Sequence, residues 1–170
     1  MGIYDPSRAL PTSRPVIEWA AARLRDNTSL RALLAASSDE EAKRKIMAHR
    51  RDVDDSLPDR FIVVRELIQA GGRMETLSGF SAVPWQMVSE CTRAMQQTSG
   101  GIDQWHEEVQ RAVRKALVGE TPDLPEGGPL QPVRRTGMPS APLYAEETDT
   151  YYAISRYALT VAPSSVQTLT

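Results

Sequence analysis

The chain predicts an α+β fold: an antiparallel sheet of about four to five strands with an N-terminal helix and one long helix packed on it. Three observations predict this. Ile102, Trp105, Val109, Ala112, Val113, Ala116 and Leu117 form a continuous apolar stripe at helical spacing. The stretches 60–67, 81–91 and 150–162 are rich in β-branched and aromatic residues, and the last two alternate with period two. Strands that follow one another through short connections favour antiparallel pairing.

The elements follow in order. Residues 1–14 show no periodic pattern and read as an extended arm. Ser13 caps a helix and Pro15 suits its first turn, where the missing N–H costs nothing. Val16, Trp19, Ala20 and Leu24 form its apolar face, Asp26 to Ser29 interrupt it, and Leu30, Leu33 and Leu34 resume it. Ser38 with Glu41 is a capping-box pattern that opens a short helix reaching Lys45. A short strand is expected within 46–52, then a charged loop closed by Pro58. Arg60 to Leu67 reads as a buried strand, and the segment 69–80 as a polar, glycine-marked loop.

In the 81–91 strand, Val83, Trp85, Met87, Ser89 and Cys91 share one face. Ala82, Gln86, Val88 and Glu90 share the other. Pro84 has no donor, which places it at an edge or a strand start. Gly119 follows the long helix as a C-terminal glycine should, and Glu107 and Arg111 stand in the favourable order for an ion pair. A Pro-Gly loop covers 120–132. Two strands close the fold, one near 131–138 and one near 150–162, joined by the polar turn Glu146-Glu147-Thr148-Asp149. The predicted organisation is an arm (1–14), a single domain (15–162) and a C-terminal tail (163–170).

With 170 residues, 41% hydrophobic and 25% charged, the composition is that of an ordinary globular domain. The formal net charge of −2 argues against a dedicated nucleic-acid binder. One cysteine, Cys91, excludes an intrachain disulfide and fits a reducing compartment. The longest apolar run, Ala32 to Ala36, falls far short of the ~20 residues of a membrane span. The first ten residues carry no signal-peptide pattern. These features predict a soluble protein made inside a cell, in a reducing compartment such as the cytoplasm.

No motif carries chemistry. Gly71-Gly72 and Gly100-Gly101 lack phosphate-loop spacing. His106 reads as a solvated helix residue off the stripe, and His49 stands among Arg44, Lys45, Arg50 and Arg51 with no third ligand near. Cys91 reads as core rather than a nucleophile. The acidic runs lack a calcium-loop pattern. The basic run from Lys43 to Arg51 is the best nucleic-acid candidate, but no aromatic residue interleaves it, and it reads as a solvated or interface patch. No catalytic residue, cofactor or metal is expected.

The layout resembles the tail terminator (tail completion, neck) proteins of long-tailed bacteriophages and gene transfer agents. The resemblance runs from about Arg14 to Ala162. It rests on the N-terminal helix, Pro-Asp-Arg-Phe-Ile-Val-Val at 58–64, Ala-Val-Pro-Trp-Gln-Met-Val at 82–88, the long helix at 102–118, and the acidic turn and aromatic strand at 142–161. The chain departs from simpler members in its long connection at 37–57 and its Pro-Gly loop at 120–132.

The resemblance implies a non-enzymatic virion protein, a homo-oligomeric (hexameric) ring at the head-proximal end of the tail tube. The ring stops tube growth and joins the tail to the head-closure or connector protein. Genomic DNA passes through its lumen without sequence-specific binding, and no membrane is involved. Segments in excess of one domain suit ordering on a partner, so Arg73, Met74, Leu77, Phe80, Leu124 and Tyr144 are the expected assembly contacts. Competing readings are another neck component such as a head-closure protein, a DNA-binding adaptor and a small enzyme. A mostly β-barrel fold favours the first, salt-sensitive DNA binding the second, and a deep pocket of converging charges the third.

Overall fold

The computed structural model describes residues 13–49, 57–67, 74–75, 81–98, 101–123 and 132–161. The fold is α+β, as the sequence predicts. The elements are α1 (Ser13–Arg25), α2 (Thr28–Leu33), α3 (Asp39–Lys45), β1 (Ile46–Ala48), β2 (Arg60–Glu66), β3 (Met74–Glu75), β4 (Ser81–Thr92), α4 (Arg93–Thr98), α5 (Ile102–Leu117), β5 (Arg134–Arg135), β6 (Leu143–Ala145) and β7 (Thr150–Val161).

The strands form one sheet in the order β1-β2-β4-β7-β5, with β3 pairing β4 and β6 pairing β7. It is larger than the expected four to five strands because the short β1, β3, β5 and β6 join three long ones. It is also mixed. β1 runs parallel to β2, with Ile46 opposite Ile62, whereas the other pairings are antiparallel. The expectation of a wholly antiparallel sheet fails there because the stretch 49–59 is long enough to carry the chain back to the start of β2.

Local chemistry sets the helix ends. Asn27 caps α2, its Oδ1 accepting from the Leu30 amide at 2.9 Å. Ser38 caps α3 by accepting from the Glu41 amide at 3.2 Å, while the Glu41 carboxylate reaches one residue further back, to the Ser37 amide and hydroxyl at 2.7 Å. Those bonds hold the Glu41 carboxyl below its ordinary pKa. At the end of α5, Gly119 takes φ +89°. Its amide donates to the Val133 carbonyl and the Val133 amide donates to Glu120, which fastens the returning chain to the helix terminus.

The core lies between the helices and one face of the sheet. Val16, Ile17, Ala20, Ala21 and Leu24 of α1 and the stripe of α5 pack onto Ile62, Val64, Trp85, Met87, Tyr157 and Leu159. Trp85 and Tyr157, opposite one another in register, stack at a centroid distance of 4.7 Å. Two polar ties lock the helix layer: Trp105 Nε1 donates to the Leu33 carbonyl at 3.1 Å, and Arg23 Nε donates to the Ala116 carbonyl at 2.9 Å. Pro84 stands inside β4, not at its start. Among the described residues β2 ends opposite Trp85 and β3 pairs only from Ala82, so the proline falls where that side of β4 is locally an edge.

Of the strand expected over 131–138, the described residues form only two residues of strand, and a further short strand lies beyond it. β5 covers only Arg134–Arg135, and β6 then pairs with the start of β7. Pro139 and Pro142 interrupt the ladder between them. Helix α4 had no apolar period in the sequence to announce it.

Candidate functional site

A buried polar group and two surface regions hold what chemistry the described residues offer. The buried group centres on His106, on the sheet-facing side of α5. Its Nδ1 lies 2.7 Å from the Ser89 hydroxyl and its Nε2 3.7 Å from the Cys91 thiol. The expectation of a solvated His106 is wrong, since the ring is 1% exposed. Positions 102, 106, 109 and 113 also follow helical spacing, so the ring sits on the apolar face, where the hydroxyl and thiol of β4 receive it.

Cysteine, histidine and serine in mutual contact resemble a nucleophile with its base, but the environment removes that chemistry. Burial pushes the His106 pKa down to about 4, with the nearby Asp103 opposing the shift. Burial pushes the Cys91 thiol up to about 11, partly offset by Arg60. A neutral thiol beside a neutral imidazole, both closed to solvent, is neither nucleophile nor base at neutral pH. The group instead satisfies a core histidine: a hydroxyl on one side and a thiol on the other serve either tautomer of the neutral ring. Among the described residues no grouping of three or more His, Cys, Asp or Glu could hold a metal ion.

The first surface region is the edge at β6. Met138 is 85% exposed, Leu143 50% and Tyr144 42%. Tyr144 packs against Tyr151 at 4.9 Å and donates to Asp149 Oδ1 at 2.6 Å, a bond that raises its pKa. Glu146, Glu147, Thr148 and Asp149 follow as an exposed acidic turn. Behind this edge, on the sheet face opposite the core, Val63, Val88, Glu90, Tyr152 and Ile154 line a shallow cleft of about 320 Å³. On the same face Arg65 meets Gln86 across the strands. With the amide turned so that its oxygen faces the guanidinium, that oxygen accepts from Nε at 2.7 Å and from Nη2 at 3.0 Å.

The second region is a cleft of about 810 Å³ between α1, α3 and β1, lined by Arg14, Glu18, Arg25, Lys43, Arg44 and His49, with Met47 and Ala48. Arg25 Nε donates to the Ile46 carbonyl at 3.0 Å, and Arg14 pairs with Glu18 at 3.1 Å. His49 takes φ +58°, in the left-handed region, and its buried Nε2 has no hydrogen-bond partner among the described residues. Among the described residues that line it, the cleft holds no pair of groups arranged for acid–base work.

Of the six expected assembly contacts, Arg73, Leu77, Phe80 and Leu124 lie outside the described residues. The structure does not bring the other two together. Met74 begins β3 opposite Ala82, whereas Tyr144 lies on β6 opposite Tyr151, which pairs with Cys91. They are thus at opposite ends of the β4–β7 ladder, roughly 30 Å apart at the usual strand rise. The basic cleft was legible only as the run at 43–51; that Arg14 and Arg25 join it is a consequence of α1 packing beside β1.

No protein-family profile and no curated protein matches the chain. Among solved structures, its fold is similar to that of a chain in the virion of a native gene transfer agent (GTA) particle, with a TM-score of 0.57 and 14% identity over 86% of this chain and 93% of that one. The likeness is one of fold. None of the helices in the described residues is long and apolar enough to cross a membrane.

Proposed function

We propose that the protein is a structural virion subunit of the tail-terminator kind. It assembles as a homo-oligomeric ring, a hexamer by family resemblance, at the head-proximal end of the tail tube. There it stops tube growth and offers the head connector a docking surface, while DNA passes through the lumen. The observation that carries this reading is the fold likeness, nearly end to end in both chains, to a chain of a gene transfer agent virion. The chemistry agrees: the grouping that looks catalytic, Cys91 with His106, is held neutral and closed to solvent. A helix layer on one face of a sheet also favours a terminator over a β-barrel head-closure protein.

The test is electron microscopy of particles made without this chain. Filled heads beside separate, overlong tails are expected. Tails of normal length beside unjoined or leaking heads would move the protein to the head-closure side of the neck. Intact infectious particles would overturn the assembly reading.

A further inference from the structure

We propose that neighbouring copies of this chain join head to tail, the acidic turn 146–149 of one copy seating in the basic cleft beside β1 of the next. The proposal rests on the ring reading and specifies its contact.

The turn and the cleft are two different surfaces of the fold. β4 pairs with β7 along the whole length of β7, so β6 lies on the outer side of β7, away from β4, β2 and β1. The turn after β6 comes round onto the sheet face opposite the helices, where Glu147 and Thr148 line a cleft with Val63, Arg65 and Glu90, whereas the basic cleft lies between α1, α3 and β1. A contact between two different surfaces of identical chains is heterologous, and such contacts generate rings when the rotation closes.

The chemistry of the two surfaces is complementary. Among the described residues the cleft is lined by Arg14, Arg25, Lys43 and Arg44 and by one carboxylate, Glu18, which Arg14 already pairs. The turn carries Glu146, Glu147 and Asp149, all exposed. Among the described residues neither Lys43 nor Glu146 nor Glu147 is in an ion pair. Each surface also has an apolar element beside its charges. Leu143 and Tyr144 precede the turn, and Met47 and Ala48 line the cleft. At the cleft, His49 holds a left-handed backbone and a buried Nε2 with no hydrogen-bond partner among the described residues. Because Arg25 already caps the Ile46 carbonyl, the contact is one of side chains and not an added strand.

The experiment is native mass spectrometry and sedimentation of the full chain at low and high salt, with circular dichroism to verify folding. The wild type is expected to assemble at low ionic strength and to dissociate as salt screens the charges. The variants R14E/K43E and E146K/E147K should each be folded and monomeric, with assembly weakened on the order of tenfold or more, because like charges now meet at the contact. An equimolar mixture of the two should reassemble, since the reversed turn of one meets the reversed cleft of the other.

Assembly of either variant alone as tightly as wild type would overturn the proposal. The ring reading would then stand, with its contacts elsewhere. Two folded variants that fail to reassemble when mixed would overturn it as well. If R14E/K43E assembled normally but lost binding to a DNA duplex, the cleft would belong to nucleic acid. A wild type that stays monomeric at low salt, even with tail tubes present, would overturn both the contact and the ring.

Discussion

Protonating His106 costs the native state more than the unfolded chain, because the charged ring must sit in the core between Ser89, Cys91 and Trp105. The native pKa of about 4 lies below the ordinary value of 6.5. Between those pH values the unfolded chain binds the extra proton, so the contribution is complete above pH 6.5 and is lost as pH falls toward 4. The full effect is on the order of 3 kcal/mol. Urea denaturation of wild type and His106→Gln at pH 7 and pH 4.5 should show the wild type losing about 2 kcal/mol more than the variant. Equal losses would mean that the native ring titrates normally. The sequence carried the signal at 102, 106, 109 and 113, but residue type outweighed spacing. A histidine next to Trp105 but off the apolar stripe reads as solvated until a hydroxyl and a thiol are known to stand opposite. Spacing did place Cys91 correctly, because the alternation of β4 puts it on the face with Trp85 and Met87.

At the scale of elements, strong periodicity translated directly into structure. α1, α5, β2, β4 and β7 fall where the apolar pattern puts them, and the exposed Glu107–Arg111 pair forms at 2.8 Å, although such a pair adds little stability. The misread elements were short ones, although the short α3 and β1 lie where they were expected. β3, β5 and β6 are two or three residues long, too short for a period, and exist because β4 and β7 offer long edges to pair with. Gly119 tests whether the end of α5 is set locally. Its φ of +89° with no heavy atom near an added Cβ means that Gly119→Ala meets backbone strain and no clash. The variant should lose about 1 kcal/mol, read as a lower urea midpoint at unchanged slope. An unchanged midpoint would show that the helix ends through Val133 and Glu120 alone.

At the scale of the whole molecule, a long sheet backed by helices on one face leaves two edges and a second face to meet other chains. The acidic turn is contiguous, but the basic cleft is assembled from segments distant in sequence, such as Arg14 with Lys43 and His49. A linear reading therefore saw a basic run and an acidic run but no contact between them. It looked for assembly residues in the loops, and the two of those that can be placed, Met74 and Tyr144, belong to different ends of the sheet.

The central claim is position: a subunit at the junction of tail and head. The most direct measurement is electron microscopy of particles in which this chain carries a C-terminal tag decorated with gold. One cluster of gold at the head–tail junction, once per particle, is the predicted result. Gold spread along the tube, on the head shell or absent from finished particles would contradict the account.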